Sequence, residues 1–130
     1  VNSIDIPTTI LNLLGIKKLK GMQGFDLSPI FNDPNINIRT HCLIEEDEDL
    51  VFDRKNSMRL RTLITENYRL TLYRDFENFG DLFDLKNDPN ELNNLWHDND
   101  SKEVRNKLIN SLIHEIIKNQ NEYPKRQAIT

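Results

Sequence analysis

Cysteine is almost missing from this sequence. The single thiol, Cys42, excludes an internal disulfide and cannot by itself build a cysteine zinc site. Its neighbours His41 and Leu43 suit a strand, where Cys42 reads as a small buried residue. His41 would point to the opposite strand face, which argues against a Cys-His dyad. No apolar run is long enough to span a bilayer, and no signal-peptide pattern is present. Excess positive charge is lacking too. The formal charge is -4, which argues against a general nucleic-acid binder with its basic footprint. Three histidines stand apart, none four residues from another, so they form no metal-ligand spacing. Gly21 and Gly24 have no following Lys-Ser/Thr pair and make no phosphate loop. The acidic run Glu45-Glu46-Asp47-Glu48-Asp49 lacks the alternation, central glycine and distal glutamate of a calcium loop, so it reads as a solvated loop. There is no repeat at solenoid spacing.

What is present suits one domain of 130 residues, long enough to bury about 65–70% of its unfolded surface. The hydrophobic fraction is 37% and the charged fraction 29%. The first residue is Val1, so the chain reads as a piece of something longer.

Four segments follow one another. Ser3 to Leu14 reads as a helix, with Ile4, Leu11 and Leu14 on one stripe and Ile10 at its side. Pro7 is tolerated only in the first turn, and Gly15 is placed to stop the helix. Asp5 sits where a carboxylate favours a helix start, so capping is preferred to catalysis. Lys17 to Arg39 reads as basic solvated chain, a turn at Gly24, an apolar turn of helix at Leu27, Ile30 and Phe31, and a loop at Asn32-Asp33-Pro34-Asn35. Strands are expected at Thr40 to Glu45, Met58 to Thr65, Tyr68 to Tyr73 and Asp81 to Leu85. Glu66-Asn67 closes the middle pair into a hairpin. Pro89 fixes a turn, after which Glu91, Leu92 and Leu95 suit a short helical turn. Ser101 to Asn121 carries Val104, Leu108, Leu112 and Ile116 on one stripe, widened by Ile109, Ile113 and Ile117. This helix should cover one sheet face, and the tail beyond it should fray. Trp96 reads as a packing residue rather than a sugar contact, and His114 as a helix-surface residue. Asn99-Asp100-Ser101 is a weak glycosylation sequon.

Several of these segments resemble the end of a sulfatase. Gly80-Asp81-Leu82-Phe83-Asp84-Leu85, then Asp88-Pro89, then Glu91-Leu92-Asn93-Asn94-Leu95, is similar to the family's Gly-Glu-Leu-Tyr-Asp-Leu…Asp-Pro-x-Glu-hydrophobic-x-Asn-Leu, with Asp81 and Phe83 replacing Glu and Tyr. Asp5-Ile6-Pro7-Thr8 with Leu11 and Gly15 resembles the last helix of the family's large catalytic domain. Gln23-Gly24 with Leu27 and Pro29 resembles its Gln-Gly-x-Ser-Leu-x-Pro element, Asp26 standing for Ser. Arg61-Thr62, Tyr68-Arg69-Leu70 and Tyr73 resemble the paired strands of its C-terminal subdomain, with Arg69 where Lys is common.

The resemblance implies an α+β fold: about four antiparallel strands against a long C-terminal helix, preceded by a helix of the missing α/β catalytic domain. The implied divisions are 1–39 (end of the catalytic domain and linker), 40–121 (C-terminal subdomain) and 122–130 (tail). It implies a parent that hydrolyses sulfate esters with a formylglycine and a divalent metal, usually calcium. The formylglycine arises in a Cys/Ser-x-Pro/Ala-x-Arg motif. Cys42 is followed by Leu43, Ile44, Glu45 and Glu46 and does not fit it. The paired-aspartate metal motif is also missing. No catalytic, cofactor-binding or metal residue is therefore assigned, and the chain alone is expected to be inactive. Its partners would be the missing catalytic domain and the parent's sulfate-ester substrate, with no nucleic acid and no membrane span. Glu45 to Arg54 is a candidate rim loop of the substrate cleft, with Glu45, Glu46 and Arg61 as candidate rim residues. Arg39, Arg59, Arg61 and Arg74 could grip a sulfate, but ordinary ion pairing is the stronger reading. The alternatives are the tail of a phosphate or phosphonate ester hydrolase, and a free-standing interaction module derived from such a tail.

Overall fold

The computed structural model describes residues 1–48 and 58–120. Most of the candidate rim loop, from Asp49 to Arg54, and the tail 122–130 lie outside the described residues. The element order is α1 (Asp5–Leu13), α2 (Ser28–Asn32), β1 (His41–Glu48), β2 (Met58–Thr65), β3 (Tyr68–Tyr73), β4 (Gly80–Asp84) and α3 (Lys102–Gln120). The fold is α+β, with a four-stranded antiparallel sheet in the order β1-β2-β3-β4 and a long C-terminal helix. The chain divides into two compact units, one of residues 1–40 with the segment from Ile116 onward, the other His41–Glu115.

In the first unit α1 is built with its polarity reversed. Asp5, Thr8 and Thr9 are buried, whereas Ile6, Ile10, Leu13 and Leu14 are all more than half exposed. The expected apolar stripe is therefore not the buried one. The reason lies in the segment 24–28, which runs beside α1 and offers backbone N–H groups rather than a greasy surface. Phe25 N–H donates to Asp5 Oδ1 (2.8 Å), and Leu27 N–H donates to Thr9 Oγ1 (2.9 Å). Asn12 Nδ2 donates to Asp26 Oδ2 (2.8 Å). Residues 5, 8, 9 and 12 share one helical face, so this polar stripe satisfies donors that would otherwise be orphaned. Gly24 lets the two segments approach this closely, since an added Cβ would lie 1.9 Å from the Ile4 carbonyl oxygen and 2.6 Å from Thr8 Oγ1. The helix ends as expected at Gly15 (φ 69°). Gly15 N–H donates to the Asn12 carbonyl and Ile16 N–H to the Leu11 carbonyl, the two bonds of a Schellman cap.

The second unit is a meander. β1 pairs with β2 over eight residues, from His41↔Thr65 to Glu48↔Met58. β2 and β3 close over Glu66-Asn67, where Thr65 Oγ1 accepts from Tyr68 N–H (3.0 Å). Leu63, Leu70 and Leu82 lie side by side in register across three strands and are essentially inaccessible. The same sheet face carries His41, whose Nε2 meets Glu115 Oε1 of α3 at 3.1 Å. It also carries Gly80, against which the Trp96 ring packs so closely that a Cβ would lie 2.5 Å from it. Arg105 of α3 donates to the Trp96 carbonyl and lies over its ring. Leu108 and Leu112 complete the buried face of α3. On the opposite sheet face Thr62 and Thr71 share a buried hydroxyl–hydroxyl bond of 2.9 Å. Phe83 is buried there beneath the Arg69 guanidinium.

The short helical turn expected after Pro89 does not form. Glu91 takes a left-handed φ of 54°, which breaks helical continuation, and its carboxylate pairs with Arg69. Asn94 replaces the turn with a side-chain clamp. Its Oδ1 accepts from Leu82 N–H and Trp96 N–H (both 3.0 Å), and its Nδ2 donates to the Gly80 carbonyl and Asp81. α3 starts where Ser101 suggested. The Asp98 carboxylate accepts from both the N–H and the hydroxyl of Ser101.

Candidate functional site

Strand alternation decides which candidate rim residues meet. Glu45 and Asp47 on β1 lie on one face, opposite Arg61 and Arg59 of β2 in register. Glu46 lies between them and faces the other side. Arg61 Nε pairs with Glu45 Oε1 at 2.9 Å. Its terminal nitrogens take both oxygens of Asp47, at 2.9 and 3.1 Å. The same side chain also donates to the carbonyls of Leu60 (2.8 Å) and Glu46 (3.3 Å). The structure thus joins the Glu45 and Arg61 side chains, whereas Glu46 meets Arg61 only through its backbone carbonyl.

Asp47 is the hub that the sequence reading missed. The Arg61 hydrogen bond, together with the charges of Arg61, Arg59 and Arg74, holds its carboxyl below the usual carboxylate range. In turn the Asp47 hydrogen bond raises the Arg61 pKa against the opposing effect of partial burial. Arg74 joins the group because its N–H donates to the Arg59 carbonyl at 2.9 Å, just past the end of β3. A signal for this was available: acidic residues at alternate positions of one strand and arginines at alternate positions of its antiparallel partner form charge pairs across a sheet.

Three of the four arginines considered for sulfate binding therefore gather at this end of the sheet, each already in an ion pair. Arg39 does not join them. It pairs with Asp5 in the first unit and lies over the Phe25 ring. Asp5 is fully buried. Burial pushes its carboxyl up, but the N–H groups of Asn2 and Phe25 and the Arg39 guanidinium together outweigh that and lower it. Asp5 Oδ2 also accepts from Asn2 N–H at 2.7 Å, in the turn that precedes α1. Asp5 is therefore not the expected cap, since Ile4 holds the N-cap position and no side chain caps α1; it is a buried clamp in the first turn.

Cys42 is half-buried in β1 and its sulfur lies 3.8 Å from the Leu43 carbonyl oxygen. Trp96 packs as expected, with its Nε1 donating to the Asn78 carbonyl at 3.1 Å. Among the described residues no three His, Cys, Asp or Glu side chains stand together so as to hold a metal ion. Among the described residues no helix is long and apolar enough to cross a membrane. What the site offers is fixed positive and negative groups at one end of a sheet.

Known proteins share this architecture. A protein solved in complex with its substrate D-glucosamine-2-N,6-O-disulfate is 18% identical, with a TM-score of 0.76 over 95% of this chain and 25% of its own. A 2-O GAG sulfatase is 21% identical, with a TM-score of 0.75 over 97% of this chain and 27% of its own. The phosphonate monoester hydrolase of Agrobacterium radiobacter is 22% identical, with a TM-score of 0.71 over 88% of this chain and 24% of its own. This chain spans about a quarter of the length of each. No curated protein sequence matches it. The family described as N-sulphoglucosamine sulphohydrolase, C-terminal, matches residues 1–119. That match takes in both units and nearly the whole sequence, and the chain belongs to this family of sulfatase C-terminal regions.

Proposed function

We propose that this chain is the C-terminal part of a sulfuric ester hydrolase, in which it completes the fold and forms one rim of the substrate cleft. The observation that carries this reading is the family match over residues 1–119. The catalytic groups, a formylglycine and a divalent metal, belong in this reading to an α/β domain outside the chain. The outward stripe of α1, Ile6, Ile10, Leu13 and Leu14, suits that domain as its cover, because so much contiguous apolar surface marks an interaction site. The charged end of the β1–β2 hairpin, with Glu45, Glu46 and Arg61, is the rim.

The test is to express the full open reading frame around this chain and the chain alone, and to assay both on 4-nitrophenyl sulfate with calcium. The full-length protein turns the ester over and the chain alone does not. Metal-dependent turnover by the chain alone, purified from a host lacking sulfatases, overturns the assignment of catalysis to the outside domain. A second reading draws on the phosphonate monoester hydrolase likeness. Preferential cleavage of a phosphonate monoester by the full-length protein selects it.

A further inference from the structure

The two edges of the sheet are finished differently. At the β4 edge, Asn94 Nδ2 donates to the Gly80 carbonyl and Asn94 Oδ1 accepts from Leu82 N–H. Leu95 N–H donates to the Leu82 carbonyl (2.8 Å), and Asp88 N–H to the Asp84 carbonyl (2.7 Å). β1 forms the other edge. The hydrogen-bond phase shows which of its groups face outward. Arg74 N–H donates to the Arg59 carbonyl, so Arg59, Arg61 and Leu63 turn their backbone toward β3. Leu60, Thr62 and Ile64 turn theirs toward β1, where they oppose Glu46, Ile44 and Cys42. The N–H and C=O groups of Leu43, Glu45 and Asp47 therefore point away from the sheet. Among the described residues they meet no backbone partner. Such an edge is a template for another strand.

We propose that β1 pairs antiparallel with β1 of a second copy, about a two-fold axis at Ile44, so that one sheet runs through both. The pairing is independent of the activity proposed above. Acidic side chains commonly guard an edge, but here Arg61 holds Glu45 and Asp47, and Arg59 adds to Asp47. The phase of the outward groups allows only every second register. With the axis at Ile44, Leu43 faces Glu45, Cys42 faces Glu46 and His41 faces Asp47 of the second copy, so no two carboxylates meet. An axis at Glu45 sets that residue against itself. An axis at Glu46 sets Glu45 against Asp47. Like charges directly opposite one another destabilise a sheet. An axis at Leu43 shortens the paired stretch to 41–45. The Ile44 register is thus the longest one free of repulsion, and it is self-complementary, as a two-fold interface must be. It also covers an apolar side chain, since Ile44 is 42% exposed and would meet its own copy. One strand pair is a small interface, so a dissociation constant on the order of micromolar is expected.

The experiment is sedimentation of the full-length protein from about 1 to 100 µM. The wild type shifts from monomer to dimer across this range. Ile44→Lys sets two ammonium groups together at the axis and weakens association about tenfold or more. Ile44→Cys with Cys42→Ser joins the copies on mild oxidation, because directly opposed residues of a non-hydrogen-bonded pair lie about 4.5 Å apart at Cα, within disulfide reach. Mass spectrometry of the linked peptide identifies the 44–44 bond. Glu46→Cys links the copies only where Cys42 is kept. A protein that stays monomeric throughout overturns the pairing, as does a dimer that Ile44→Lys leaves unaltered or the absence of the 44–44 bond. Hydrogen exchange then says what the edge does instead. Slow amides at Leu43, Glu45 and Asp47 in a monomer mean that a strand from elsewhere in the parent covers the edge, and fast ones mean that the charges keep it solitary; both overturn the pairing.

Discussion

Asp5 shows how much one carboxylate can organise. It accepts from two backbone N–H groups twenty-three residues apart in sequence and from Arg39. Removing its charge leaves Arg39 part-buried without its partner, so Asp5→Asn should cost about 3 kcal/mol, read as lost hydrogen-exchange protection in α1. Its folded-state pKa lies below the unfolded one. The stabilisation is therefore complete above about pH 4 and drains away as pH falls through the folded value. Tyr73 runs the other way. Burial first, and then the hydrogen bond to Asp81, push its phenol up to about 12. Its share of stability is whole below about pH 10 and is lost as pH rises toward the folded value. An alkaline absorbance titration at the phenolate band should show one tyrosine ionising late, and Asp81→Asn should bring it earlier. Gly24→Ala tests the closeness of α1 to its neighbour and should destabilise by about 1–3 kcal/mol. Sequence gave the position of Asp5 in the first helical turn but not its partners, because contacts at separations of 20 and 34 residues leave no local pattern.

Among the elements, β2 and β3 have the bounds that alternation and the Glu66-Asn67 turn indicated. β1 runs three residues beyond the expected Glu45, to Glu48, because the arginines of β2 neutralise acidic residues that alone suggest a loop. The helical turn at Glu91 failed for a conformational reason, a left-handed residue that composition does not announce. The apolar face of α1 was legible in part: Ile10 and Leu14 belong to the outward stripe, which runs through Ile6 and Leu13 rather than through the expected Ile4 and Leu11, because the polar face at Asp5, Thr8 and Thr9 sets which side turns in. Ile10→Lys with Leu13→Lys should leave the unfolding free energy of the chain alone within about 0.5 kcal/mol, as surface changes do. In the full-length protein the same pair should cost several kcal/mol, at about 1.5–3 kcal/mol for each buried side chain exchanged. Parallel urea unfolding of the two proteins checks this, and equal small effects would mean the stripe stays exposed in the parent.

For the whole molecule, the family was legible because its motifs are spread along the chain in order, from Asp5 to Leu95, and each marks a turn or a strand end rather than a reactive group. The candidate site was legible only in composition. Glu45 and Arg61 could be named as charged residues near a loop, but their partnership through Asp47 depends on a register that only pairing of β1 with β2 defines. The Asp5–Arg39 pair has a consequence for the chain's path. It brings together two points 34 residues apart, so the polypeptide enters and leaves that stretch at nearly the same place. Topologically the stretch is a cassette. A short linker could bridge its ends without stretching the backbone, and long insertions within it would add little closure entropy.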